Sequence, residues 1–161
     1  MGKTLIEYEQ GELYQKLVDE YDVFDYLYEA LLFFAVIGYR EGYVKRNGYK
    51  GDSSADTAGE AGLQNVHSRD LYHTVAACLA FQDTGDPEAL VDPIEHKRVI
   101  AQYAAGGLEF AMEEFGQNAG DPTDAIVNYI KSRKDEDDDE TIEGELGEIV
   151  DAFDDEMMGY E

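Results

Sequence analysis

From Ala30 to Ile37 the chain is apolar at every position, and this run constrains the fold more than any other feature. A helix that is apolar on nearly every face has to be surrounded by protein. Phe24, Leu27, Tyr28, Leu31, Phe34, Ala35 and Gly38 recur at i, i+3 and i+4, so the spacing predicts a helix over about Val23 to Tyr39. It should be the central core element, with Gly38 allowing close packing or starting the exit. A membrane span needs about 20 apolar residues, and this run is too short for that.

Other helices follow from the same periodicity and from their start signals. Leu13, Leu17 and Val18 place a short helix over 10–21. Ser68 is a good N-cap for a helix to about Gln82, with Leu71, Val75, Cys78 and Leu79 as its apolar stripe and Thr84-Gly85-Asp86 as its end. All three prolines follow aspartate, at Asp86-Pro87, Asp92-Pro93 and Asp121-Pro122. Aspartate accepts a backbone donor at a helix start, and proline lacks the donor that would be orphaned there. Helices are therefore expected near residues 87, 93 and 122. The second should run to about Ala105, be interrupted or bent at Gly106-Gly107, and resume through Leu108, Phe110, Ala111, Met112 and Phe115. The last should run to about Arg133 on Ala125, Ile126, Tyr129 and Ile130. Residues 40–66, rich in glycine, serine and aspartate, read as a long loop, and Asn47-Gly48 suits a hairpin turn. The fold class expected is all-α, a single-domain bundle of five to six helices over residues 1–134. Residues 135–161 then form an acidic linker and an amphipathic tail helix.

Charge narrows the function classes. Thirty-seven acids face twelve bases, for a net charge of −25. The acids are spread along the whole chain, which favours adaptation to high salt, where screening removes the self-repulsion. A dedicated acidic function, such as mimicry of DNA, is the competing explanation. From Asp135 onward there are fourteen acids and no base. Ile142, Leu146, Ile149, Val150, Phe153 and Met157 repeat at helical spacing there, a stripe that suits a helix docking on its own domain or on a partner. Cys78 is the single cysteine, so no intramolecular disulfide is possible, and its apolar setting from Val75 to Phe81 predicts a buried structural thiol. Met1-Gly2-Lys3-Thr4 leads into charged residues and not a signal peptide, so the expected location is cytoplasmic.

The residues that could carry chemistry are few. His67, His73 and His96 show no metal-ligand spacing, and the Asp70–His73 pair is the ordinary neighbour pair of a helix, so no metal, cofactor or catalytic residue is expected. Carboxylates are too numerous for any pair to be informative, and a hydrolase built on Asp70, His73 or the glutamates has no motif behind it. One stretch departs from the acidic background. Arg40, Lys45, Arg46 and Lys50 are four of the twelve bases and fall within eleven residues that contain one acid, Glu41. Tyr39, Tyr43 and Tyr49 are interleaved with them. Tyr39, Arg40, Tyr43, Lys45, Arg46 and Lys50 are therefore the candidate binding residues for an anionic partner. Pairing of these bases with neighbouring acids is the alternative. Lys131, Arg133 and Lys134 form a second cluster, explained by the preference of cations for a helix C-terminus.

Two segments together resemble a known family. Leu31-Leu32-Phe33-Phe34-Ala35-Val36-Ile37-Gly38-Tyr39-Arg40-Glu41-Gly42 is an apolar helix ending in Gly-Tyr and a basic loop. Ala101-Gln102-Tyr103-Ala104-Ala105-Gly106-Gly107-Leu108-Glu109-Phe110 contains a Tyr-Ala-x-Gly-Gly-Leu-Glu element. In this order they resemble the small proteins associated with DNA phosphorothioation, the Dnd system-associated protein 4 family, over about residues 10–133. The resemblance implies a non-enzymatic accessory role in a DNA-modification or restriction system of host defence, with other subunits of the system, DNA, or both as partners. It carries over no catalytic residue. The alternative is an acidic adaptor or DNA mimic that occupies a basic groove on a partner.

Overall fold

The computed structural model describes residues 4–115 and 122–142. The chain divides into two compact units, Met1–Pro122 and Thr123–Glu161. The first unit opens with strand β1 (Leu5–Glu9) and a short helix α1 (Glu12–Gln15) that continues as a wider π-type turn over Lys16–Glu20. Leu13, Tyr14 and Leu17 are buried along it, which fits the helix expected over 10–21.

Helix α2 (Leu27–Glu41) holds the apolar run and buries Ala30, Leu31, Leu32, Phe34, Ala35, Ile37 and Gly38. It starts where the Tyr26 backbone N–H donates to the Glu29 carboxylate at 3.1 Å. The other Glu29 oxygen accepts from the Tyr72 hydroxyl at 2.6 Å. The helix stops at Gly42, whose φ of 76° is the left-handed conformation that glycine adopts without cost.

After a loop, strand β2 (Ala58–Gly62) pairs antiparallel with β1, with Ile6 opposite Ala61 and Tyr8 opposite Gly59. The sheet has two strands, so the fold is mostly helical with one small β element that helical periodicity did not predict. Alternation buries Ile6 and Tyr8 and turns Glu7 outward. Gly59 is required, because a Cβ there would lie 2.6 Å from the Tyr8 ring. Gly48, at φ 71°, opens a turn closed by the Gly51 N–H on its carbonyl at 3.4 Å, but no hairpin surrounds Asn47-Gly48.

Helix α3 (Leu63–His67) and helix α4 (Asp70–Thr84) follow. Ser68 is the C-cap of α3 and not the N-cap of α4; its hydroxyl donates to the Asn65 carbonyl at 2.9 Å. The buried face of α4 is Ala76, Leu79 and Ala80, which leaves Leu71 and Cys78 exposed, contrary to the burial expected for the thiol. Both following Asp-Pro signals act as predicted. Asp86 accepts from the Glu88 N–H at 3.0 Å and starts a 3₁₀ turn over Pro87–Val91. Asp92 accepts from the Ile94 N–H at 3.0 Å and starts helix α5.

Helix α5 (Pro93–Glu114) runs without a break through Gly106-Gly107, so the glycine pair is not an interruption. It packs chiefly on α2, and the glycines are the reason the two helices can touch. A Cβ on Gly107 would stand 1.8 Å from the Phe34 carbonyl oxygen, and one on Gly106 would stand 2.1 Å from the Tyr43 carbonyl oxygen. From the other side, a Cβ on Gly38 would stand 2.0 Å from the Tyr103 carbonyl oxygen. The core sits along this seam, with Val99, Ile100, Ala104, Leu108 and Ala111 of α5 buried beside it.

In the second unit, helix α6 (Thr123–Ile142) begins next to Pro122, as the third Asp-Pro signal predicts, although Asp121 lies outside the described residues. It crosses residue 134 without a break, so the acidic stretch 135–140 is helical backbone and not a linker. The Arg133 guanidinium stands over the Tyr129 ring at 5.0 Å. The tail helix expected beyond Ile142 lies outside the described residues.

Candidate functional site

The basic stretch leaves α2 and is drawn back onto the protein by acids. Tyr39, in the last turn of α2, packs edge-on against Tyr103 with centroids 5.7 Å apart, and its hydroxyl donates to Gln82 at 3.3 Å. Arg40 is exposed in the same turn. Tyr43 packs edge-on against Phe110 and donates to the Glu113 carboxylate at 3.4 Å, whose negative charge pushes the phenol pKa up. Lys45 Nζ meets Glu9 of β1 at 2.9 Å, and its backbone N–H donates to the Gln102 carbonyl. Lys50 Nζ meets Glu7 at 3.4 Å. Glu7 lies opposite Glu60 in the sheet, so this lysine also relieves a like-charge pair.

Arg46 is held hardest. One guanidinium nitrogen donates to Gln102 Oε1 at 2.8 Å and the other to Asp83 at 2.7 Å, while the plane stands 5.6 Å from the Tyr103 ring. Asp83 is the hub. Its side chain is 6% exposed and accepts from Arg46, from the Tyr103 hydroxyl at 2.8 Å and from Arg98 at 3.0 Å. Arg98 also donates to Gln102 Oε1 at 3.0 Å and pairs with Glu95. Burial pushes the Asp83 carboxyl up, but the hydrogen bonds from Arg46, Tyr103 and Arg98 outweigh it and hold the pKa at about 2. Burial and the Asp83 charge push the Tyr103 phenol up. The six residues singled out by composition thus lie along one segment. Its lysines and Arg46 pair with Glu9, Glu7 and Asp83 and fasten the loop to β1, α4 and α5.

A second constellation has no trace in sequence spacing. His67 ends α3, His73 lies in the first turn of α4 and His96 in the first turn of α5, and one ring nitrogen from each lies within 4.8 Å of the others. His67 Nε2 and His96 Nδ1 are 2.9 Å apart. The His67 and His73 rings are 4.4 Å apart. His96 is buried, and its Nε2 faces the carbonyl oxygens of Ala89 and Leu90 at 2.9 and 3.0 Å. Burial, followed by the two neighbouring rings, lowers the His67 pKa and favours the neutral imidazole. The Asp83 hub was equally hidden, because one aspartate among so many acids carries no signal before its partners are known.

Fold and site together define a small, mostly helical, strongly acidic protein whose basic loop is bound by its own carboxylates. Residues 5–148 match the family described as DNA sulphur modification system-associated protein 4, and the chain belongs to that family. The match takes in β1 and the start of the acidic segment, beyond the 10–133 that the two recognised elements suggest. Neither characterised proteins nor solved structures gave a match. The family name associates the chain with the other components of a DNA sulphur modification system. No helix among the described residues is long and apolar enough to cross a membrane.

Proposed function

We propose that the chain is a non-enzymatic, cytoplasmic accessory component of the DNA sulphur modification system that binds a partner protein of that system through its acidic surface. One observation carries this reading: Lys45, Arg46 and Lys50 are each ion-paired within the chain, to Glu9, Asp83 and Glu7. Cations that neutralise phosphates displace the counterions condensed on DNA, and these cations already have carboxylates. What remains for a partner is a chain of net charge −25, which suits a basic groove.

Direct DNA contact has one supporting feature, a pocket lined by Lys50, Lys97 and Arg98 together with Glu7, Tyr49 and Ile94. The two readings separate in one experiment. The full chain is titrated with the purified components of the system, and in parallel with plain and phosphorothioated duplexes at several salt concentrations. The expected result is association with a component that weakens about tenfold or more when the six acids at 135–140 are changed to amides, and no salt-dependent affinity for either duplex. Tight duplex binding that is lost with Lys97→Ala, together with component binding indifferent to the amide changes, would overturn the adaptor reading in favour of DNA contact.

A further inference from the structure

We propose that His67, His73 and His96 form a three-histidine site for a divalent transition-metal ion of the zinc class, with one coordination position left for water or an outside ligand. The chain has three histidines, and three separate helices deliver all of them to one point. On a tetrahedral ion with metal–nitrogen distances of about 2.0–2.1 Å, two ligand nitrogens stand about 3.3 Å apart. His67 Nε2 and His96 Nδ1 are already at 2.9 Å, and one nitrogen from each of the three rings lies within 4.8 Å of the others. His73 is exposed, so a small ring rotation closes the triangle without disturbing the core.

The environment of His96 fixes its chemistry. Carbonyl oxygens can only accept, so the Nε2 that faces Ala89 and Leu90 carries the hydrogen. That leaves the Nδ1 lone pair directed at His67. A ligating imidazole whose other N–H is anchored on backbone carbonyls is the arrangement that holds metal-binding histidines in place. An ordinary buried histidine accounts for His96 by itself; it gives no reason for two further imidazoles beside its Nδ1. In the metal-free protein the His67 Nε2–H donates to His96 Nδ1. On binding, His67 carries its proton on Nδ1 instead, and the ion sits between the two lone pairs. His67 also lines an open pocket with Thr4, Leu63, Gln64, Ser68 and Pro93, which gives a fourth ligand a way in. The bound ion would tie α3, α4 and the start of α5 together.

The test uses the tag-free full chain, stripped with chelator and titrated with Zn²⁺ and Co²⁺ in molar NaCl with excess Mg²⁺, so that the many carboxylates are already occupied. One Zn²⁺ per chain, the visible bands of four-coordinate Co²⁺, and a metal-dependent rise in Tm are expected. His73→Ala, at an exposed position, should keep its metal-free Tm, lose the cobalt bands and bind Zn²⁺ about tenfold or more weakly. His67→Gln should behave the same way. No uptake at one equivalent would overturn the proposal. So would several weak ions bound equally by wild type and both variants, the behaviour of surface carboxylates.

Discussion

Gly107→Ala is expected to destabilise the protein by about 3 kcal/mol or more, a fall of roughly 10 °C in Tm. The sign is the informative part. Alanine in a helix interior normally stabilises by about 1 kcal/mol relative to glycine. Helix propensity alone therefore predicts that this variant melts higher. Packing predicts the reverse, because the new Cβ would stand 1.8 Å from the Phe34 carbonyl oxygen, a backbone atom that cannot rotate away. α2 and α5 would have to separate, and with them the buried faces on which the first unit rests. Gly38→Ala meets the same seam from the other helix, at 2.0 Å from the Tyr103 carbonyl oxygen, and should fail in the same way. Gly42→Ala is the control. Nothing lies within 4 Å of a Cβ there, but its φ is 76°, so the cost is about 1 kcal/mol of left-handed backbone. Thermal denaturation of the three variants checks the ranking, and a Gly107→Ala protein as stable as wild type would remove the seam as the organising contact.

Asp83→Asn should lower stability by about 2 kcal/mol at neutral pH, because it leaves Arg46 and Arg98 facing each other without their shared carboxylate. Arg46 is half exposed, so water takes up part of the loss. The pH dependence distinguishes this from a simple packing defect. The folded carboxyl titrates at about 2 against an ordinary value of 3.8. As pH falls, the unfolded chain binds the proton first. The contribution is therefore complete above about pH 4 and drains away as pH falls through the folded value near 2. Urea denaturation at pH 7 and pH 3 should show the gap between wild type and Asp83→Asn narrowing at the lower pH. A gap that stays constant would mean that Asp83 contributes shape and not charge.

What the sequence discloses depends on how local the cause is. The apolar run fixes α2 because burial of every face admits few alternatives, and Asp92-Pro93 fixes the start of α5 because cap and proline act within one turn. The Gly106-Gly107 pair misleads, since its reason lies on α2 and on the backbone at Tyr43 just beyond it, more than sixty residues earlier in the chain. β1 and β2 escape periodicity because each is five residues long, and β2, Ala58–Gly62, has no strong strand former. Cys78 was expected inside because its neighbours are apolar, but small alanines provide the buried face of α4. Composition singled out the basic segment from within the chain, while the acids that pair with it come from β1 and α4, distant in sequence. The histidine cluster joins residues 67, 73 and 96 across three helices, and no spacing rule spans that arrangement.

α6 carries Asp135-Glu136-Asp137-Asp138-Asp139-Glu140 in its closing turns, where the helix dipole already presents its negative end. Like charges three and four apart repel along the same face. Helix and charge therefore oppose each other in this segment, and mobile cations decide the balance. The expected result is that circular dichroism of the full chain loses helix as salt is diluted and regains it with added cations. A partner that supplied those positive charges would relieve the same opposition that salt relieves, so the helix end and the partner's bases would stabilise each other.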